Sequence, residues 1–205
     1  MKKALLAVAL VFLVAQAAAG QVEVRHYRLH GHFADAYFGT WGEGGCALTD
    51  VAANIAESVR VVETGPPPEP EITARVRFLR ADMCTGEVWT DVSAEGVPQV
   101  LEFGKDTVHV QATFTGQDAV TGADAQVVVD LTWAKDPQGH VESGRYISRM
   151  IDPGWRETLR TYAMSYAALL TGSVVAGEYE EIADSDGYAY FGMTREGDAT
   201  IIKLR

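Results

Sequence analysis

The chain has 205 residues and a formal net charge of −11 at pH 7, with 17 Lys and Arg against 28 Asp and Glu. A chain of this length can bury roughly 70% of the surface that its unfolded form exposes, so it can build a core without a cofactor. The acidic balance argues against nucleic acid and anionic membranes as partners, because both bind through clustered Lys and Arg.

The first twenty residues have the three parts of a secretory signal peptide. Lys2 and Lys3 give a positive start, residues 4–14 are apolar, and Ala17 to Ala19 supply the small residues that a signal peptidase requires. The apolar run is too short to span a bilayer, so we expect a removed signal and no membrane insertion of the mature chain. The prediction is a secreted or periplasmic bacterial protein whose formal charge becomes −13 on cleavage.

Alternation of apolar and polar residues with a period of two predicts strands over residues 72–79, 107–114 and 127–133. A weaker strand over residues 22–33 changes phase near Arg25 and His26, which indicates a bulge. Residues 188–193 and 199–204 are expected to form a terminal hairpin around Arg195 to Asp198. The predicted fold class is all-β, mainly antiparallel and β-sandwich-like, with one disulfide.

Two segments fit more than one structure. Residues 48–62 have apolar positions at both helical and strand spacing, and the surrounding strands favour a strand. Residues 155–170 fit a helix and a strand equally well, so one helix near residues 155–170 stays open.

Four prolines within residues 65–70 exclude that segment from a strand ladder and favour an extended loop. We expect a rigid loop inside a single β-rich domain that spans residues 21–205, because the two cysteines lie on either side of it. Cys46 and Cys84 are predicted to form a disulfide, since an exported chain reaches an oxidising compartment.

The histidines offer one candidate metal site. His30 and His32 are two residues apart, so in a strand their rings project from one face, and His109 on another strand could supply a third ligand. Three imidazoles could hold Zn²⁺ and activate a water, which is the basis of an alternative function as a metal-dependent secreted hydrolase. Histidines on a strand without any metal are the simpler interpretation.

A second candidate is acidic. Asp184 and Asp186 precede a glycine, which is how a Ca²⁺ loop begins, but Arg195 stands where the distal glutamate of a complete loop is needed. A solvated acidic turn, with Ca²⁺ as the alternative, is the expectation.

Trp41 and Trp89 are expected to lie in loops, which makes them candidate contact residues for sugars, because sugars stack on aromatic rings. The sequence has no nucleophile motif, and we assign no catalytic residue. The leading interpretation is a non-catalytic β-sandwich binding module for carbohydrate or for an envelope or extracellular protein. A small outer-membrane β-barrel is the structural alternative.

Overall fold

The computed structural model describes the backbone of residues 22–62, 68–152, 155–183 and 187–204, and it contains strands and turns but no helix over those ranges. No segment of the described chain therefore forms a helix long and apolar enough to cross a membrane. The strands are β1 (Val22–Trp41), β2 (Ala47–Val62), β3 (Glu71–Asp82), β4 (Glu87–Gly96), β5 (Val100–Phe103), β6 (Thr107–Asp118), β7 (Asp124–Lys135), β8 (Val141–Asp152), β9 (Trp155–Ala176), β10 (Tyr179–Ala183) and β11 (Tyr188–Leu204). The signal peptide predicted at residues 1–20 and residues 65–67 of the proline-rich loop lie outside the described residues.

All strand pairs are antiparallel, and the pairing forms a closed circuit. From β1 the neighbours run through β2, β3, β4, β6, β7, β9 and β11 and return to β1. The seam between β4 and β6 is short, because its register covers only Val92 with Asp118 and Ser93 with Gln117. An all-β, mainly antiparallel fold is confirmed.

The core lies inside this circuit and follows the period of two. In β3, β6 and β7 the buried positions alternate with exposed or half-buried ones, as predicted for residues 72–79, 107–114 and 127–133. Trp133 of β7 is fully buried, and its Nε1 donates a hydrogen bond to the Asp35 carbonyl oxygen of β1 at 2.9 Å. Because β7 and β1 are not neighbours, this bond joins opposite parts of the sheet, and side chains meet between them as they do in a sandwich.

The ambiguous segments are both strands. Residues 48–62 lie in β2, where Val51, Ala53 and Ile55 point into the core, so the strand prediction is confirmed. A helix near residues 155–170 is wrong, because that segment belongs to the 22-residue strand β9. The strands β8 and β11 pair with residues 155–166 of β9 on either edge and satisfy backbone groups that a helix would satisfy internally.

The first and last strands differ from the sequence-based expectations. The bulge predicted in β1 near Arg25 and His26 is wrong, because β1 pairs with β11 in regular register there. A register shift follows between Tyr27 and Leu29, but its extra residue lies in β11, since β1 stays in register with β2 over the same residues. The terminal hairpin is wrong, because β11 runs without a reversal from Tyr188 to Leu204. The turn-like residues at 195–198 are accommodated by a register shift between Gly197 and Thr200 against β9.

The sheet continues beyond the closed circuit at one end. There β8, the first half of β9, the second half of β11 and the first half of β1 lie side by side, and among the described strands β8 pairs only with β9. We call this four-stranded part the extension. At the other end of β1 the chain turns into β2, and the disulfide lies there.

Candidate functional site

The Cys46–Cys84 disulfide is present, and it links the turn before β2 to the turn after β3. Its Cα atoms are 5.2 Å apart, and the Met83 N–H donates to the Cys46 carbonyl at 2.8 Å, which extends the β2–β3 ladder to the disulfide. We call this end of the sheet, with Trp41, Cys46, Cys84 and Trp89, the disulfide end. A disulfide is typical of proteins outside the cytosol.

The two candidate tryptophans both lie at the disulfide end and are exposed, Trp41 to 59% and Trp89 to 37%. The loop placement predicted for them is wrong, because Trp41 is the last residue of β1 and Trp89 lies in β4, with β2 and β3 between them. Three strand spacings correspond to about 14 Å along the sheet. The structure thus brings Trp41 and Trp89 to one end of the molecule, as separate rings.

A bulge sets the position of Trp89. Arg80 pairs with Thr90 and Ala81 pairs with Val88, so Trp89 is the extra residue of β4. A bulge re-aims side chains and fixes local twist. The Arg80 guanidinium lies 5.8 Å from the centre of the Trp89 ring and 3.9 Å from that of Tyr179 in β10. Two aromatic rings and one cation are therefore grouped at this end.

Sequence reasoning missed Arg80 and Tyr179. They are far apart in the chain and carry no local motif, so only the sheet topology brings β3 and β10 to the same place. Nearby in β10, the Glu181 side chain is buried and accepts a hydrogen bond from the Thr40 hydroxyl at 3.1 Å. This bond ties β10 to the end of β1 that carries Trp41.

The turns at this end are ordered by aspartates. The Asp82 carboxylate accepts the backbone N–H groups of Cys84 and Thr85 at 2.8 and 3.0 Å, and these bonds lower its pKa. Asp118 accepts the N–H groups of Val120 and Asp91, which lowers the Asp118 pKa because hydrogen bonds favour the charged form.

Within the described ranges, one group of side chains has the spacing of a metal site, namely Cys46, Asp82 and Cys84. Both sulfur atoms are joined in the disulfide, and a metal ligand must be a thiolate. The Asp82 carboxylate is already engaged by two backbone N–H groups. With the disulfide formed, these three side chains stabilise the turn and offer no cysteine ligand to a metal.

The three histidines do not form one cluster in the structure. His30 and His32 share a face of β1 as predicted, and the His32 ring lies 3.3 Å from Glu57 and stacks on Phe103 at 5.2 Å between ring centres. His109 alternates with the buried positions of β6, and its Nε2 lies 3.2 Å from Asp130 of β7. His109 thus lies on the outer face, while His30 and His32 have the parity of the core side.

Asp184 and Asp186, the proposed Ca²⁺ ligands, lie outside the described residues.

A feature that the sequence did not indicate is a groove of about 500 Å³ on the outer face. Its wall carries titratable side chains from the β7–β8 turn, β8 and β11, namely Asp136, His140, Glu142, Tyr188 and Tyr190. Burial and the nearby Asp35 carboxylate raise the pKa of Tyr190. These residues come from distant segments, so no local pattern could have indicated the groove.

Comparison with known proteins assigns no family and no function to the chain. No family model matches the chain, and no curated protein matches it. A match among solved structures is described as a "putative AttH" from Nitrosomonas europaea, at 9% identity and a TM-score of 0.34. The match covers 87% of this chain and about half, 52%, of that one. A similarity of this size carries no conclusion about function.

Proposed function

We propose that the chain is an exported, non-catalytic binding module for carbohydrate, with the disulfide end as its contact surface. The observation that supports this proposal is the pair of exposed tryptophans at that end, Trp41 and Trp89. Trp89 is grouped with Arg80 and with the half-buried ring of Tyr179. Sugar rings present apolar faces that pack on such side chains, while the guanidinium can donate to hydroxyl oxygens.

Rigidity strengthens this proposal. Trp89 is held in a bulge, and the adjacent turns are joined by the disulfide and ordered by the Asp82 hydrogen bonds. Aromatic contact residues that are already fixed lose little conformational freedom when a ligand binds. An envelope or extracellular protein is the alternative ligand for the same surface.

The test is binding of the purified mature chain to a glycan array, followed by titration of each recovered glycan. We expect Trp41→Ala and Trp89→Ala each to weaken binding by about 10-fold or more, because aromatic anchors dominate such contacts. Tyr146→Ala is the matched control, since Tyr146 is an exposed aromatic residue of β8, away from the disulfide end. Wild-type affinity of both tryptophan variants for every recovered ligand would contradict the proposal, and capture of an envelope protein that depends on the same residues would favour the alternative.

A further inference from the structure

Four cross-strand neighbours in the extension form a row with a positive character. His30 of β1 faces Arg195 of β11, Arg195 faces Tyr162 of β9, and Tyr162 faces Arg145 of β8. Directly paired residues of a sheet share a face, so all four side chains project from the same side. This is the core side of the sheet, because His30 has the parity of the buried Ala34.

The neighbouring rows on this face add three more arginines. Arg160 of β9 pairs with Ile147 of β8, and Arg149 of β8 pairs with Thr158. Arg28 has the same parity as His30 on β1. We call the set the arginine face, and its members are Arg28, Arg145, Arg149, Arg160 and Arg195. All five are exposed.

Four of these five arginines, all but Arg28, form no ion pair with an acidic side chain in the part of the chain that the structure describes. Glu57 is the carboxylate that the β1–β2 register places beside the arginine face, and Glu57 lies against His32. By contrast, Arg75 and Arg77 of β3 pair with Glu95 and Asp91. The arginine face is thus a local positive surface on a chain of net charge −11.

Exposed isoleucines alternate with these arginines. Along β8, Arg145, Ile147, Arg149 and Ile151 share one parity, and Ile147 and Ile151 are 64% and 74% exposed. A surface that recognises a soluble polyanion needs the charges but gains nothing from large apolar side chains in water. An anionic bilayer uses both, because its phosphates attract arginine while its interface accepts apolar side chains.

We propose that the arginine face docks peripherally on a bilayer that contains anionic phospholipid. The net charge of the sequence argues against this partner, but the fold gathers the required arginines on one face. The proposal is independent of carbohydrate binding, which uses the other end of β1. Thirteen residues separate Arg28 from Trp41, a distance of roughly 40 Å along a strand. Docking would therefore leave the disulfide end free.

The experiment is co-sedimentation of the mature chain with two kinds of vesicle, phosphatidylcholine alone and phosphatidylcholine with about 30% phosphatidylglycerol. We expect binding to the anionic vesicles only, and weaker binding at high salt, because salt screens exposed charges. Arg145→Gln/Arg149→Gln/Arg160→Gln should weaken binding about 100-fold, since each basic side chain near an anionic bilayer contributes roughly a factor of five. The matched control, Arg75→Gln/Arg77→Gln, should bind like the wild type.

A second variant separates a bilayer from a soluble polyanion. Ile147→Ser/Ile151→Ser should weaken vesicle binding at least several-fold and leave the melting temperature nearly unchanged, because both side chains are exposed. Equal binding of the wild type and the triple arginine variant, or no binding of the wild type to anionic vesicles, overturns the proposal. So does an isoleucine variant with wild-type vesicle binding, particularly if dextran sulfate binds through the same arginines, because the site would then be one for soluble polyanions.

Discussion

At the residue scale, Trp133 is the side chain on which the interior depends most. It fills the space between β7 and β1 and gives its indole N–H to the Asp35 carbonyl, so its apolar and polar parts are both satisfied inside the sheet. Trp41 has the same chemistry in the opposite environment, because it is 59% exposed at the disulfide end. Trp133 is a structural residue because it is buried, and Trp41 is a candidate contact residue because it is exposed. The sequence does not show this difference.

This contrast gives a prediction for stability. Trp133→Phe should lower the free energy of unfolding by about 2 kcal/mol, because it leaves a cavity and removes the hydrogen bond to Asp35. Trp41→Phe should change it by less than about 0.5 kcal/mol. Urea denaturation at neutral pH measures both values. Similar losses for the two variants would contradict the assignment of Trp133 to the core and Trp41 to the surface.

Asp118 gives a prediction for pH dependence. Its pKa is lower in the folded chain than its ordinary value of 3.8, because the N–H groups of Val120 and Asp91 donate to its carboxylate. The resulting stabilisation is complete above the unfolded pKa and is lost as pH falls through the folded one. The urea midpoint should therefore fall between about pH 5 and about pH 3, and the fall should be smaller in Asp118→Asn. An identical fall in that variant would show that other carboxylates determine it.

At the element scale, β9 pairs with different strands along its two halves. Its first half pairs with β8 and β11, and its second half pairs with β7 and β10. Gly172 lies in the second half with φ of 116°, and a Cβ there would collide with the Asp130 carbonyl of β7. A side chain at this position would force β7 and β9 apart.

Two glycines can therefore be compared. Gly172→Ala should destabilise the fold by about 3 kcal/mol or more, since it combines an unfavourable backbone conformation with a backbone clash. Gly177→Ala should cost only about 1 kcal/mol, because Gly177 has φ of 63° but no atom within 4 Å of the added Cβ. Thermal and urea unfolding of both variants provide the measurement. A smaller loss at Gly172 than at Gly177 would contradict the close approach of β7 and β9.

The disulfide belongs to the same scale, because it fixes the β2–β3 pair. It closes a segment with a sequence separation of 38, and loop closure of that length stabilises the folded state by about 4 kcal/mol in the chain-entropy model. Cys46→Ser/Cys84→Ser should lose about this much in urea denaturation without reductant. Adding reductant should bring the wild type to the level of the double variant, and a wild type that reductant leaves unchanged would show that the disulfide contributes little.

At the scale of the whole molecule, the closed circuit of strands connects the beginning of the chain to its end. Since β1 pairs with β11, opening one part of the sheet exposes the core that all the other strands share. We expect a single cooperative transition, with coincident near-UV and far-UV circular dichroism curves, as a single domain requires. Two separated transitions would contradict the single domain predicted for residues 21–205.

The distribution of charge over the surface is also a property of the whole molecule. The mean composition is acidic, yet five arginines gather on the extension because β1, β8, β9 and β11 meet there. In the sequence these arginines are spread over residues 28–195, so no run of positive charge indicates the face. Net charge alone is therefore a poor criterion for rejecting a class of partner when the fold separates the charges.

The sequence by itself determined the strands with one buried face, because a period of two is a local property that burial imposes on every such strand. It also determined the Cys46–Cys84 pairing, since two cysteines allow one intramolecular bond. It could not decide residues 155–170, where helical and strand spacings coincide and only the neighbours β8 and β11 favour the strand. Nor could it show that β11 continues through residues 195–198, that His109 lies on the other face from His30 and His32, or that Arg80 lies between Trp89 and Tyr179. These features depend on which strands become neighbours and in what register, and that is decided by long-range packing of the core.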